Sequence, residues 1–234
     1  MDTALAASER YLACMIDLPP WGDSQNPGVG IYADVFAGLA RRTGMKIDYD
    51  VTPYSRTFRN VEVGDCAFTI TAWSEGRSTL VTRGAVLALL DFGVIGRRGL
   101  DLSSYADLAH TILAVPRGFL IGDPFDHDGG IDKQFVYGFE QGITMVEGGH
   151  ADAAFGSLPT LRRIIRLHGT AALFGPTLLI AKVPLALQMN VAFAQTEAAR
   201  RLDAAVVELR ESGAAANIIA TQFGPDILET RSLD

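Results

Sequence analysis

At 234 residues the chain is long enough for one large domain or two modest lobes. Apolar residues make up 48% and charged residues 20%, a balance that supplies buried cores and excludes an intrinsically disordered chain. A formal net charge of -7 excludes a general nucleic-acid binder, which needs a basic face for phosphates, but leaves room for a local basic pocket that takes a small anion.

No apolar stretch reaches the roughly 18–20 residues of a membrane span. The first nine residues, Met1 to Glu9, have neither the basic segment nor the long apolar core of a signal peptide. The protein is therefore expected either to be cytoplasmic or to have lost a leader. Cys14 and Cys66 both fall in apolar strand-like runs without metal-ligand spacing, so both are expected to be buried free thiols.

Tyr11 to Ile16 is a continuous apolar run of strand length, bounded by Asp17 and Pro19-Pro20. Such runs suit a strand of a parallel sheet, covered on both faces. Trp21 comes next in a stiff loop, where its ring either caps the core or stacks on a ligand at the carboxyl end of the strand. Between Ile31 and Thr43 the apolar positions recur at helical spacing, and Gly44 supplies a stop. Lys46 to Val51 alternates as a half-covered strand, so strand, helix and strand form a right-handed parallel βαβ unit.

A short helix is expected over residues 55–62, then a Gly64-Asp65 turn and a buried strand from Cys66 to Thr71. Thr69 and Thr71 share one face of that strand by its period of two, and Arg77 comes shortly after. Hydroxyls and guanidinium groups at such a strand end are placed to receive a carboxylate. Arg56 is a second candidate for the anion, with the alternative that Arg56 and Arg59 form a solvated helix face. For Thr69 and Thr71 the alternative is ordinary β-branched filling, and for Arg77 a surface ion pair.

Val86 to Ile95 is an apolar strand long enough to leave one lobe for another. Asp101 or Ser103 caps a short helical turn, Thr111 to Val115 opens a second α/β series, and a turn at Gly118-Phe119 ends that strand. A helical stretch is expected from about Gln134 to Glu147. Gly149-His-Ala-Asp152 then leads into Ala153 to Phe155, echoing Val63-Gly-Asp65 and the strand after it, which suggests two lobes on one plan. Thr177–Ala181 and Leu185–Val191 read as two strands, the second a return crossing. Thr196 caps a helix ending at Gly213, and a last helix stops at Gly224-Pro225.

The acidic run from Asp123 to Asp132 lacks the spacing of a calcium loop and reads as a solvated loop and helix cap. His110, His127, His150 and His168 form no helix-spaced pair for zinc. No Gly-x-Ser-x-Gly elbow, phosphate loop or dinucleotide fingerprint is present. No metal, cofactor or catalytic constellation is expected.

The ordered set of Pro19-Pro20-Trp21, Gly30 to Asp34, Arg42-Thr-Gly44, Val63-Gly-Asp65, Thr69-Ile-Thr71, Glu75-Gly-Arg77, Gly149 to Asp152 and the Leu209 to Gly224 region resembles the type II periplasmic solute-binding proteins, in the amino-acid-receptor branch of ABC importers. The resemblance implies an α/β fold of two lobes, each with a mostly parallel sheet, joined by a hinge of two crossings. The lobes would span residues 1–93 plus 192–234, and 94–191. It further implies capture of a small polar, carboxylate-bearing solute between the lobes, delivery to a membrane permease, a monomeric state and a periplasmic or extracytoplasmic location. By motif, the solute would meet Trp21, Thr69, Thr71 and Arg77, with Arg56 resembling the arginine of a Pro-aromatic-x-Arg segment. Gly118 and Phe119 match a turn that offers backbone N–H groups.

Two departures bear on specificity. The second-lobe strand ends in Phe155-Gly-Ser157-Leu158, where Ser157 is the polar candidate and no acid stands ready for an α-ammonium group. The interval from Thr71 to Arg77 also exceeds the compact form of the motif. Both favour a carboxylate or other polar anion over an ordinary α-amino acid. Two further readings share the resemblance: an enzyme like cyclohexadienyl dehydratase, which requires a general acid, and a ligand-sensing domain of a larger receptor.

Overall fold

The computed structural model describes residues 9–224 of the chain; Met1 to Ser8 and the expected stop at Pro225 lie outside them. The elements run in the order β1 (Arg10–Ile16), α1 (Ile31–Thr43), β2 (Lys46–Thr52), α2 (Tyr54–Val63), β3 (Phe68–Ala72) and β4 (Thr82–Arg97). After them come β5 (Ile112–Pro116), β6 (Asp132–Val136), α3 (Phe139–Glu147), β7 (Ala153–Ser157), α4 (Leu158–His168), β8 (Phe174–Met189), α5 (Glu197–Glu211) and α6 (Ala214–Phe223).

The chain divides into two compact units. Among the described residues, unit 1 takes residues 9–73, Arg77–Ala88 and residues 184–224, and unit 2 takes Ser74–Gly76 and Leu89–Val183. The sequence pattern sets lobe boundaries after residues 93 and 191, with crossing strands at Val86–Ile95 and Leu185–Val191; the two units divide at Ala88–Leu89, inside the first of these strands, and at Val183–Pro184, just before the second. The physical reason is that β4 and β8 are each 16 residues long and pass from one unit into the other without a break. An unbroken apolar strand carries no mark of where it changes company. For the same reason Thr177–Ala181 and Leu185–Met189 belong to one strand rather than two, and that strand ends two residues short of the expected Val191.

In unit 1 the strand order is β2-β1-β3-β8. β1 pairs in parallel with β2 from Arg10↔Lys46 to Ile16↔Thr52, as the βαβ pattern predicts, and touches β3 at Ala13↔Phe68. β3 and β8 are antiparallel, from Phe68↔Met189 to Ala72↔Leu185. α1 buries Ile31, Val35, Phe36 and Leu39, each contributing about 1.5–3 kcal/mol when fully removed from water. It ends at Gly44 in the left-handed conformation, whose N–H bonds the Ala40 carbonyl. Thr196 accepts from the Ala199 N–H and so starts α5, as its sequence position requires.

Cys14 and Cys66 correct the expectation of free thiols, because they form a disulfide. Their Cα atoms are 5.7 Å apart, within the span a disulfide bridges. The apolar runs that suggested buried thiols are real, but the parallel approach of β1 to β3 brings the two together. The bridge lies among Val61, Trp73, Val81 and Ala186.

In unit 2 the order is β4-β7-β5-β6, with β5 parallel to β6 and β7, and β7 antiparallel to β4. The helix expected from Gln134 begins only at Phe139, and residues 132–136 are the strand β6. β6 is an edge strand, so it needs no buried apolar run on both faces. The turn before β5 is capped by Ser104 with Asp107, not by Asp101 or Ser103. The core gathers Phe92, Phe119, Phe125, Phe139 and Phe155, with Phe125 and Phe155 stacked at 4.4 Å between centroids.

Acidic side chains of residues 123–132 bond their own loop. Asp126 accepts from the Ile121 and Gly122 N–H groups, and Asp128 from the Tyr105 hydroxyl and the Gly130 N–H. That matches the loop part of the expectation but not the helix cap, since Asp132 opens the strand β6 and α3 begins only at Phe139.

Candidate functional site

The chemistry of unit 1 concentrates where β3 ends. α2 starts at Tyr54, directly after Pro53, whose fixed φ suits a helix entry, and closes at Gly64 with φ +89. Tyr54 and Phe58 stand one helical turn apart on α2 and meet edge to face at 4.8 Å. Arg77 lies against both. Its guanidinium carbon sits 3.6 Å from the Phe58 ring centroid and 5.5 Å from that of Tyr54. Nη2 donates to the Tyr54 hydroxyl at 2.7 Å, and Nη1 donates to the Ala72 carbonyl at 3.0 Å.

Arg77 is only 7% exposed, and among the described residues no carboxylate pairs with it. A buried guanidinium held by a carbonyl, a hydroxyl and a ring has part of its hydrogen-bonding capacity uncommitted among the described residues. Leaving such a charge without an anion is unfavourable. The surface ion pair considered for Arg77 is therefore not what the fold builds.

Thr69 and Thr71 are fully buried on β3. Thr71 stands near the Tyr32 hydroxyl, and burial drives the Tyr32 phenol well above its ordinary pKa, with the Thr71 hydrogen bond acting weakly against it. Thr69 Oγ1 has no hydrogen-bond partner among the described residues. Arg56, on the same helix as Tyr54, is exposed and forms no ion pair among the described residues. Trp21 is 3% exposed, its ring 5.8 Å from Tyr32 and 5.7 Å from Phe223. It is thus packed within the unit 1 core.

The unit 2 candidates occupy different surroundings. Gly118 takes φ +75 in an exposed turn, and the Phe119 N–H is engaged by the Pro116 carbonyl at 3.2 Å. The Phe119 ring lies 5.2 Å from Phe92 and 5.4 Å from Phe139. Ser157 is 2% exposed, and its hydroxyl accepts from Thr160 Oγ1 at 3.2 Å. The structure thus brings Arg77 together with Tyr54 and Phe58 but not with Arg56 or Trp21.

Three residues near Arg77 escaped the sequence reading. Tyr54 and Phe58 could have been found from their i, i+4 spacing on a helix that already held the candidate Arg56. Gln188 is the third, a lone amide in the apolar run from Leu185 to Met189. Its Nε2 donates to the Thr71 and Ala72 carbonyls at 3.1 and 3.3 Å.

No protein-family model matches the sequence, and no curated protein sequence matches it either. Solved structures do match in shape. One is a histidine kinase sensor domain with similarity to periplasmic binding proteins, at TM-score 0.78 and 19% identity over 93% of this chain and 96% of that one. Another is the GluR0 ligand-binding core from Nostoc punctiforme in complex with (L)-glutamate, at 0.78 and 15% over 92% and 100%. A third is the substrate-binding protein of an amino acid ABC transporter, at 0.74 and 14% over 93% and 99%. Identities this low speak to architecture. The chain has the fold of the type II periplasmic binding proteins.

Proposed function

We propose that this protein is an extracytoplasmic solute-binding protein that captures a small carboxylate-bearing solute for an ABC importer, with Arg77 as the group that takes the carboxylate. The observation that carries this reading is the Arg77 guanidinium, 7% exposed and without a carboxylate partner among the described residues. Tyr54, Phe58 and the Ala72 carbonyl fix it in place, so little side-chain entropy remains to be lost when an anion binds. The chemistry asked of the protein is binding alone.

The Cys14–Cys66 disulfide supports a location outside the cytoplasm, where such bonds persist. The likeness to a substrate-binding protein of an amino acid transporter supports the importer role. The likeness to a kinase sensor domain favours a second reading, in which the same anion site serves as the ligand-sensing part of a receptor.

A thermal-shift screen of mono- and dicarboxylates, amino acids and uncharged polar solutes tests the proposal. A true ligand at one hundred times its Kd is expected to stabilise the wild type by about 2.7 kcal/mol. Arg77→Ala should weaken its binding about 100-fold or more, the scale for removing one partner of a buried charge pair. A ligand that stabilises wild type and Arg77→Ala equally would overturn the role of Arg77.

A further inference from the structure

Gln188 lies within β8 at 0% exposure, directly across the ladder from Thr69. Its Nε2 donates to the last two carbonyls of β3, those of Thr71 and Ala72. The Ala72 oxygen is also the acceptor for Arg77 Nη1. One carbonyl therefore joins a neutral amide on β8 to the buried cation.

Chemistry fixes the way this amide points. Turned over, it would set Oε1 against two carbonyl oxygens, acceptor against acceptor. In the orientation it adopts, Oε1 is buried with no hydrogen-bond partner among the described residues. A buried orphan acceptor is unfavourable, and leucine or methionine would fill a similar volume without one. What glutamine adds, and an apolar side chain cannot, is the pair of donors to the end of β3.

We infer that Gln188 is a positioning residue for Arg77. It pins the Thr71 and Ala72 carbonyls, and the Ala72 oxygen in turn holds the guanidinium against Phe58, with its other donors uncommitted among the described residues. The consequence for affinity rests on the anion reading of Arg77 proposed above; the placement of Arg77 does not.

The test separates the two. Gln188→Met removes the donors at nearly constant shape. Arginine modification by phenylglyoxal, read by mass spectrometry, reports on Arg77 without any ligand, and exposed Arg56 serves as internal reference. Arg77 is expected to react slowly in the wild type and about five-fold faster in Gln188→Met, the scale of one ordinary hydrogen bond, with Arg56 unchanged. An unchanged ratio of Arg77 to Arg56 in the folded variant overturns the inference.

Should Gln188→Met not fold, the wild type and Arg77→Met decide by NMR. The Gln188 side-chain amide protons are expected to exchange slowly with solvent and to shift in Arg77→Met. Free exchange, or no shift, overturns the inference.

Binding of sodium L-glutamate supplies the second arm. If it stabilises the wild type, Gln188→Met should weaken it about five-fold, with no further loss when combined with Arg77→Ala. Faster Arg77 modification with no glutamate effect on the wild type upholds the positioning role and counts against the anion reading for this carboxylate. Undiminished glutamate binding with Arg77 still protected in Gln188→Met leaves the anion reading and overturns the positioning role.

Discussion

Each unit turns through a glycine and an aspartate into a short buried strand, and the two units put the same plan to different use. In unit 1, Gly64 closes α2, Asp65 is exposed and Cys66 is tied to Cys14 just before β3. In unit 2, Gly149 takes φ +69 and Asp152 is bound on both sides. The Ile112 N–H and Arg97 Nε donate to it at 3.0 and 2.8 Å and together hold it below the ordinary carboxylate range. β3 carries Thr69 and Thr71 and leads to a buried cation, whereas β7 carries Phe155 into a cluster of rings. A similar turn thus leads in one unit to a strand tied covalently just before its start and followed by a buried cation, and in the other to a strand packed among rings.

The largest test of that contrast is removal of the disulfide. Its cysteines are 52 residues apart, and closing a loop of that length contributes about 4 kcal/mol in the chain-entropy account. Cys14→Ser with Cys66→Ser should lower unfolding free energy by about that much, and hydrogen exchange should show the loss in unit 1 first. Equal loss of protection in both units would break the comparison.

A steric change in unit 2 comes next. A Cβ at Gly93 would stand 2.1 Å from the Leu178 carbonyl oxygen, so backbone must shift to admit it. Gly93→Ala should destabilise by about 2–3 kcal/mol, seen as a lower urea midpoint with exchange quickening in β4, β7 and β8. No change in midpoint would show that the two strands yield freely.

The smallest effect is that of pH. His168 Nδ1 meets Glu147 at 2.9 Å, Thr170 donates to the same carboxylate at 2.6 Å, and Glu140 stands 3.6 Å from Nε2. The hydrogen bond to Glu147 raises the His168 pKa despite partial burial. Burial of Glu147 works upward, but the bonds from Thr170 and His168 outweigh it and leave its pKa lowered. A raised histidine stabilises below its unfolded value and loses that contribution as pH climbs through its folded one. A lowered carboxylate stabilises above its unfolded value and loses the contribution as pH falls. Both contributions are present between about pH 4.5 and 6.5. Raising the pH to 8 should weaken the α3–α4 contact by less than about 1 kcal/mol, and His168→Asn should flatten that slope. A slope that persists in His168→Asn would assign it elsewhere.

Much of unit 1 is readable in the sequence because its pattern is local. Ile31 to Thr43 keeps one apolar face with a glycine stop, Lys46 to Val51 alternates, and Thr196 caps α5. Thr69, Thr71 and Arg77 are visible as a polar ending to a buried strand. The features that escape depend on neighbours distant in sequence. The disulfide needs β1 beside β3, and two apolar runs look the same with thiols or a bridge. Gln188 matters through carbonyls more than a hundred positions earlier, a relation no periodicity records. β6 reads as helix because an edge strand with Phe135 exposed need not show the buried run of a central one.

The division into two units has a practical side. Both tryptophans, Trp21 and Trp73, belong to unit 1, while all four histidines fall in unit 2. Indole fluorescence therefore watches only the unit that holds Arg77, and imidazole proton resonances watch only the other. The native chain carries two separate reporters, so a solute titration can be followed in each unit at once without attaching a label.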